Sequence, residues 1–138
     1  MTNNFSDGWY FTDNYLPEPY REGTEAFPIQ SEEQLTDVLR EFSHKEPRIL
    51  IIDSPTEGQA FVGIGGSVAG VRYYASPSSD HSVAAKPREP CTGKEHWFVS
   101  EGEPSRFAAE HLMPVDEVIG IVTYLFRTGG LPDWVDWV

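Results

Sequence analysis

Cysteine, basic residues and long apolar runs are all scarce in this sequence, and each scarcity excludes something. Cys91 is the single cysteine, so no internal disulfide can form and nothing in the thiol content points to an oxidising compartment. Ten Lys and Arg stand against 22 Asp and Glu, a formal net charge of -12. That is the reverse of the basic footprint a nucleic-acid binder shows, so direct binding of DNA or RNA is not expected. The longest apolar stretches, Ile49 to Ile52 and 118–122, fall far short of the roughly 20 residues a membrane-spanning helix needs. The opening MTNNFSDGWYFTDNY has neither the basic start nor the apolar centre of a signal peptide. A cytoplasmic protein with no membrane role is the expectation, and its natural attractors are cationic.

What is present suits one globular unit. The chain has 138 residues, 39% of them hydrophobic and 13% aromatic, enough for one core, and it is read as a single domain over 1–138. No repeat or low-complexity tract interrupts it; the 11 prolines and 12 glycines are spread as punctuation. Residues 1–30 form an N-terminal extension in which Trp9, Tyr10, Phe11, Tyr15, Tyr20 and Phe27 alternate with Pro17, Pro19 and Pro28. Proline cannot continue a helix and aromatics suit a pleated surface, so one or two short strands packed on the domain are expected there.

At Ser31 the pattern changes. Ser31-Glu32-Glu33-Gln34 is a capping box, and Leu35, Val38, Leu39 and Phe42 follow at the spacing of one helical face, which predicts a helix over 31–43. Ile49-Leu50-Ile51-Ile52 reads as a strand buried on both faces. Residues 59–75 hold two β-rich runs joined at Gly65-Gly66, the pair a tight hairpin turn requires. The polar 76–94 stretch predicts a loop with one edge strand, followed by a strand over 96–99. A broad apolar stripe of Val115, Val118, Ile119, Val122 and Phe126, widened by Ile121 and Leu125, predicts a deeply buried helix over 114–128 with Gly129-Gly130 as its stop. Together these give an α+β fold: a largely antiparallel sheet of about five to six strands with two helices packed on one face.

The motifs that could carry chemistry have plainer explanations. Gly58, Gly63, Gly65, Gly66 and Gly70 resemble a phosphate loop only in composition. No Lys-Ser/Thr pair and no helix follow Gly66. Cys91 and His96, with His81 and His111 further off, are too few and too scattered for a structural zinc site. Cys91 lies in a polar loop with no local base to activate it. Among 22 acids, neighbours such as Glu101 and Glu103, or Asp133 and Asp136, arise by chance and mark no acid/base pair. No catalytic residue, metal or cofactor is assigned. The acids lean to the N-terminal half, with net charge -8 over 1–69 and -4 over 70–138.

The tail is the most distinctive segment. Trp134 and Trp137, three apart, cannot share one face of a strand, so they serve different contacts or a turn at Pro132-Asp133 separates them. Phe126, Thr128, Gly129, Pro132, Val135 and Trp137 spell F-x-T-G-x-x-P-x-x-V-x-W at the end of a helix. This resembles the C-terminal signature of the first family of polymorphic-toxin immunity proteins. The upstream order of helix, apolar strand, glycine-bearing hairpin and final helix fits as well.

The resemblance implies a small cytoplasmic protein, encoded beside a secreted or contact-delivered toxin, that binds the toxin domain and blocks it. Members are associated with toxins acting on nucleic acids, notably deaminases. It implies no enzyme activity and brings no catalytic residues, and the Gly, Pro and Trp positions look like scaffold. The expected partner is a toxin domain with a basic surface, met by an acidic monomer or weak homodimer. From their place in expected loops and hairpins, Glu57, Asp80, Glu101 and Glu103 are the candidate acidic contacts, and Tyr73, Tyr74 or Trp97 the candidate aromatic anchor. Two other classes stay open: an enzyme acting on a cationic small molecule, and a protein-binding adaptor unrelated to toxins.

Overall fold

The computed structural model describes residues 9–11, 27–53, 58–75, 82–89, 91, 93–100 and 103–138. Its first helix, α1 (Glu32–Ser43), starts where the capping residues require: the Ser31 hydroxyl accepts a hydrogen bond from the Gln34 N–H. The return bond of the box goes one residue further back, from the Gln30 N–H to Gln34 Oε1. Leu35, Val38, Leu39 and Phe42 are buried, as their spacing dictates. The second helix, α2 (Val115–Thr128), buries Val118, Ile119, Ile121, Val122 and Leu125 and ends at Gly129 in the left-handed region, φ 75°. Burying each such side chain contributes roughly 1.5–3 kcal/mol.

The strands are β1 (Tyr10–Phe11), β2 (Phe27–Pro28), β3 (Arg48–Asp53), β4 (Gln59–Ile64), β5 (Val68–Tyr74), β6 (Ser82–Lys86), β7 (His96–Ser100), β8 (Glu103–Phe107), β9 (Met113–Pro114) and β10 (Asp136–Trp137). They run β10-β6-β5-β4-β3-β1-β2, with β9 against β5 and the β7–β8 hairpin joined to the start of β3. The β4–β5 turn falls at Gly65 and Gly66, with φ of 122° and 103°, as the glycine pair predicts. β1 pairs with β3 on one side and with β2 on the other, and Trp9, Phe11 and Ile29 enter the same core as the helices.

The α+β class with two helices holds. The expected five to six largely antiparallel strands give way to a curled, mixed sheet with more strands. β7 meets β3 in parallel at Arg48↔Val99, and four two-residue strands among those described extend the edges. Polar runs such as Glu103-Pro104-Ser105 carry no alternation that would announce a strand; β8 exists because β7 is there to pair with it.

One face of β3–β5 carries Leu50, Ile52, Val62, Ile64, Ala69 and Val71 into the main core beneath α1 and α2. The opposite face carries Ile49 and Val68 into a second, smaller core with Phe98, Phe107 and Leu112. Two glycines make that second core possible. Gly63 and Gly70 face each other across β4 and β5. A Cβ on Gly63 would lie 2.8 Å from the Phe98 ring, and one on Gly70 2.5 Å from the Phe107 ring. The two rings, packed edge-on at 5.0 Å, fill the space the missing side chains leave, and so draw the β7–β8 hairpin under the sheet.

Candidate partner surface

The β7–β8 hairpin has two unlike sides. Its inner side lays Phe98 and Phe107, both essentially fully buried, on the glycine floor. Strand alternation then turns Trp97 and Val99 outward, where they are 52% and 43% exposed. Opposite them in register stand Arg106 and Pro104, and Arg106 is paired with Glu95 at 3.1 Å. The result is an apolar strip of tryptophan, valine and proline with an ion pair beside it.

The hairpin is held on its far side by one cation. Arg72 of β5 donates to Ser105 Oγ at 3.1 Å and to the Arg106 carbonyl, and its guanidinium lies 3.9 Å over the Phe107 ring. Burial pulls its pKa below the ordinary arginine value, yet a guanidinium stays charged at neutral pH. A cleft of about 290 Å³ opens here, between Arg72, Ser82 and Ala84 on one side and Arg106, Ala108 and His111 on the other. The Arg72 side chain thus bridges a seam that no strand pairing closes among the described residues.

The residues singled out from sequence separate. Tyr73 and Tyr74 are neighbours on β5 and therefore point to opposite faces. Tyr73 packs against the main core with its hydroxyl where a Cβ on Gly58 would sit, so it serves the scaffold. Tyr74 stacks near Phe61 at 5.1 Å on the other face. Trp97 and the exposed Glu103 share the β7–β8 hairpin. Glu57, Asp80 and Glu101 lie outside the described residues. Sequence reasoning passed over Val99 and Arg72. The alternation of His96-Trp97-Phe98-Val99 was the available signal for Val99, whereas the seam that Arg72 spans is visible only in three dimensions.

In the tail, the Gly129 N–H donates to the Leu125 carbonyl at 2.7 Å, and Phe126 packs on the core. Thr128 Oγ1 donates to the Tyr124 carbonyl at 2.9 Å and accepts from the Gly130 N–H at 3.0 Å. Val135 is buried. Trp137 donates its Nε1–H to the Pro132 carbonyl at 3.0 Å and packs against the main core. Trp134 parts from it, 41% exposed and edge-on to Tyr124 at 5.3 Å. Every residue of the signature is therefore engaged in closing the fold behind α2.

The family model for immunity protein Imm1 matches residues 23–138. The chain belongs to the Imm1 family of immunity proteins. The match spans both helices and the sheet from β2 onward, and its family role is to neutralise a toxin. No curated protein matches the chain.

For an Imm1 protein the distribution of charge is the next question. Among the described residues, ion pairs tie Arg40 to Asp116, Lys45 to Glu41, Arg88 to Asp136, Arg106 to Glu95 and Arg127 to Glu32, all carboxylates of the chain itself. Two of these join the helices: Arg40 reaches Asp116 at 2.9 Å, and Arg127 grips both oxygens of Glu32 at 2.6 and 3.1 Å. The Arg127 hydrogen bond holds the Glu32 carboxyl below its ordinary pKa. With so many cations internally engaged, the excess acid, including Glu33 on α1 and Glu103 on β8, defines the field a partner meets.

Proposed function

We propose that this Imm1 protein neutralises, in the cytoplasm, a toxin that acts on nucleic acid, either a deaminase or a nuclease, by binding it as an acidic plug. The observation that carries the reading is the family match together with a net charge of -12. An enzyme that works on DNA or RNA presents cations to phosphate, and an acidic surface competes for those same cations. Opposite charge also accelerates encounter, by 10- to 1000-fold in strongly steered pairs, which suits a protein that must intercept its toxin before damage begins. The same charge works against self-association, so the acting form is a monomer or at most a weak homodimer. Binding, rather than turnover, is the whole of the activity.

The test is co-expression. The toxin domain encoded beside this chain, expressed alone, arrests growth, and adding this chain restores it. Purified, the two associate at a rate that falls steeply as salt screens their charges. Continued arrest in the presence of well-folded immunity protein would overturn the proposal. Replacing Glu57, Asp80, Glu101 and Glu103 together by Lys should slow association and flatten its salt dependence. An unchanged rate would remove these four from the contact.

A further inference from the structure

Resting on the immunity reading, we infer that the toxin is gripped by the outer side of the β7–β8 hairpin, with Trp97 as the buried anchor and Val99 and Pro104 completing the apolar centre. Three observations meet there. First, Trp97 and Val99 are two of four large hydrophobic side chains left exposed among the described residues, and the two stand on the same side of one strand. Exposed apolar strips of this kind mark partner sites, and tryptophan is the residue most enriched where binding energy concentrates.

Second, the platform is rigid. Phe98 and Phe107 fix its inner side onto Gly63 and Gly70, and Arg72 clamps the backbone of Arg106. A preorganised strip loses little freedom on binding, so more of its contact energy appears as affinity. The other exposed tryptophan, Trp134, already has a partner ring in Tyr124.

Third, the charge pattern selects the occupant. Arg106 in the strip is tied to Glu95, so the strip sets no strong local charge against a partner, and the field of a chain at -12 favours a cationic one. A second copy would bring another -12 chain against the first. The occupant is therefore a basic toxin domain offering an apolar recess ringed by Lys or Arg.

The experiment compares the unaltered chain with W97A, V99A and W134A against the purified toxin domain encoded beside it. Both changed hairpin residues are exposed, so the variants keep their melting temperatures, and a melt confirms it. W97A should weaken affinity by about 30-fold or more, as expected for an anchor. The loss should lie in faster dissociation, with the association rate and its salt dependence retained because net charge is unchanged. V99A should lose less, and W134A should stay within about twofold of the parent. Affinity of W97A within twofold of the parent overturns the assignment, as does a loss carried by W134A instead. A parent chain that sediments as a dimer, and as a monomer once Trp97 is replaced, overturns it in favour of a second copy. If the unaltered chain neither binds nor protects, it is the immunity reading that fails.

Discussion

A single hydrogen in place of a methyl group shapes the underside of this protein. Gly63 and Gly70 have ordinary strand conformations, so their role is the space they vacate. Gly70→Ala would put a carbon 2.5 Å from the Phe107 ring and 3.1 Å from the His111 carbonyl, neither of which can swing away from a packed core. Such overpacking costs about 1–3 kcal/mol, read as a lower urea midpoint; an unshifted midpoint would show that the hairpin is not seated on this floor. Cys91 supplies a second test at this scale. Its Sγ donates to the Leu112 carbonyl at 3.4 Å. Burial first, and the nearby Glu117 carboxylate second, push its pKa up, partly opposed by a backbone hydrogen bond. Less thiolate is then present at a given pH than for a free thiol. Alkylation at pH 8 should run slower than for a small-molecule thiol and quicken as pH rises, and Glu117→Gln should speed it. A rate equal to the free thiol's would refute this account.

At the scale of elements, what could be read in one dimension was whatever local periodicity and turn chemistry determine. The capping residues at Ser31 and the stripe from Val115 to Phe126 placed both helices, and Gly65-Gly66 placed the β4–β5 turn. The parallel meeting of Arg48 with Val99 and the strand Glu103–Phe107 were not legible, because long-range pairing leaves no trace in hydropathy. Gly63 and Gly70 were noticed, but as members of a glycine cluster rather than as a floor for Phe98 and Phe107. The candidate surface was half legible for the same reason. Trp97 stands out in any sequence reading, while the exposure that separates it from Tyr73 depends on which face each strand residue takes. The helix pair offers a pH test. Because Arg127 depresses the folded pKa of Glu32 from its ordinary 4.5, the stabilisation is fully present above that value and is lost as pH falls through the depressed one. Glu32→Gln should therefore lower stability at pH 7 and make no difference at pH 2, measured by urea titration at both. Equal loss at the two pH values would assign the effect to something other than the ion pair. Both partners are exposed, so the effect at pH 7 is small.

Taken as a whole, the molecule joins two bodies of unequal attachment. The sheet β3–β6 and its helices share a continuous core, whereas the β7–β8 hairpin meets that sheet at one register position, Arg48↔Val99, at the Phe98 and Phe107 rings, and through the Arg72 bridge across the seam. Side-chain ties of this kind can let go together while the backbone ladders behind them stay intact. The hairpin should then behave as its own cooperative unit in native-state hydrogen exchange, its amides trading protons for deuterons through a sub-global opening well before those of β3–β5. Arg72→Met should lower the protection of β7 and β8 alone. Such openings are rare excursions from the seated hairpin, between which the strip keeps the arrangement a partner meets, and bound toxin would register as slowed exchange at the amides of β7 and β8.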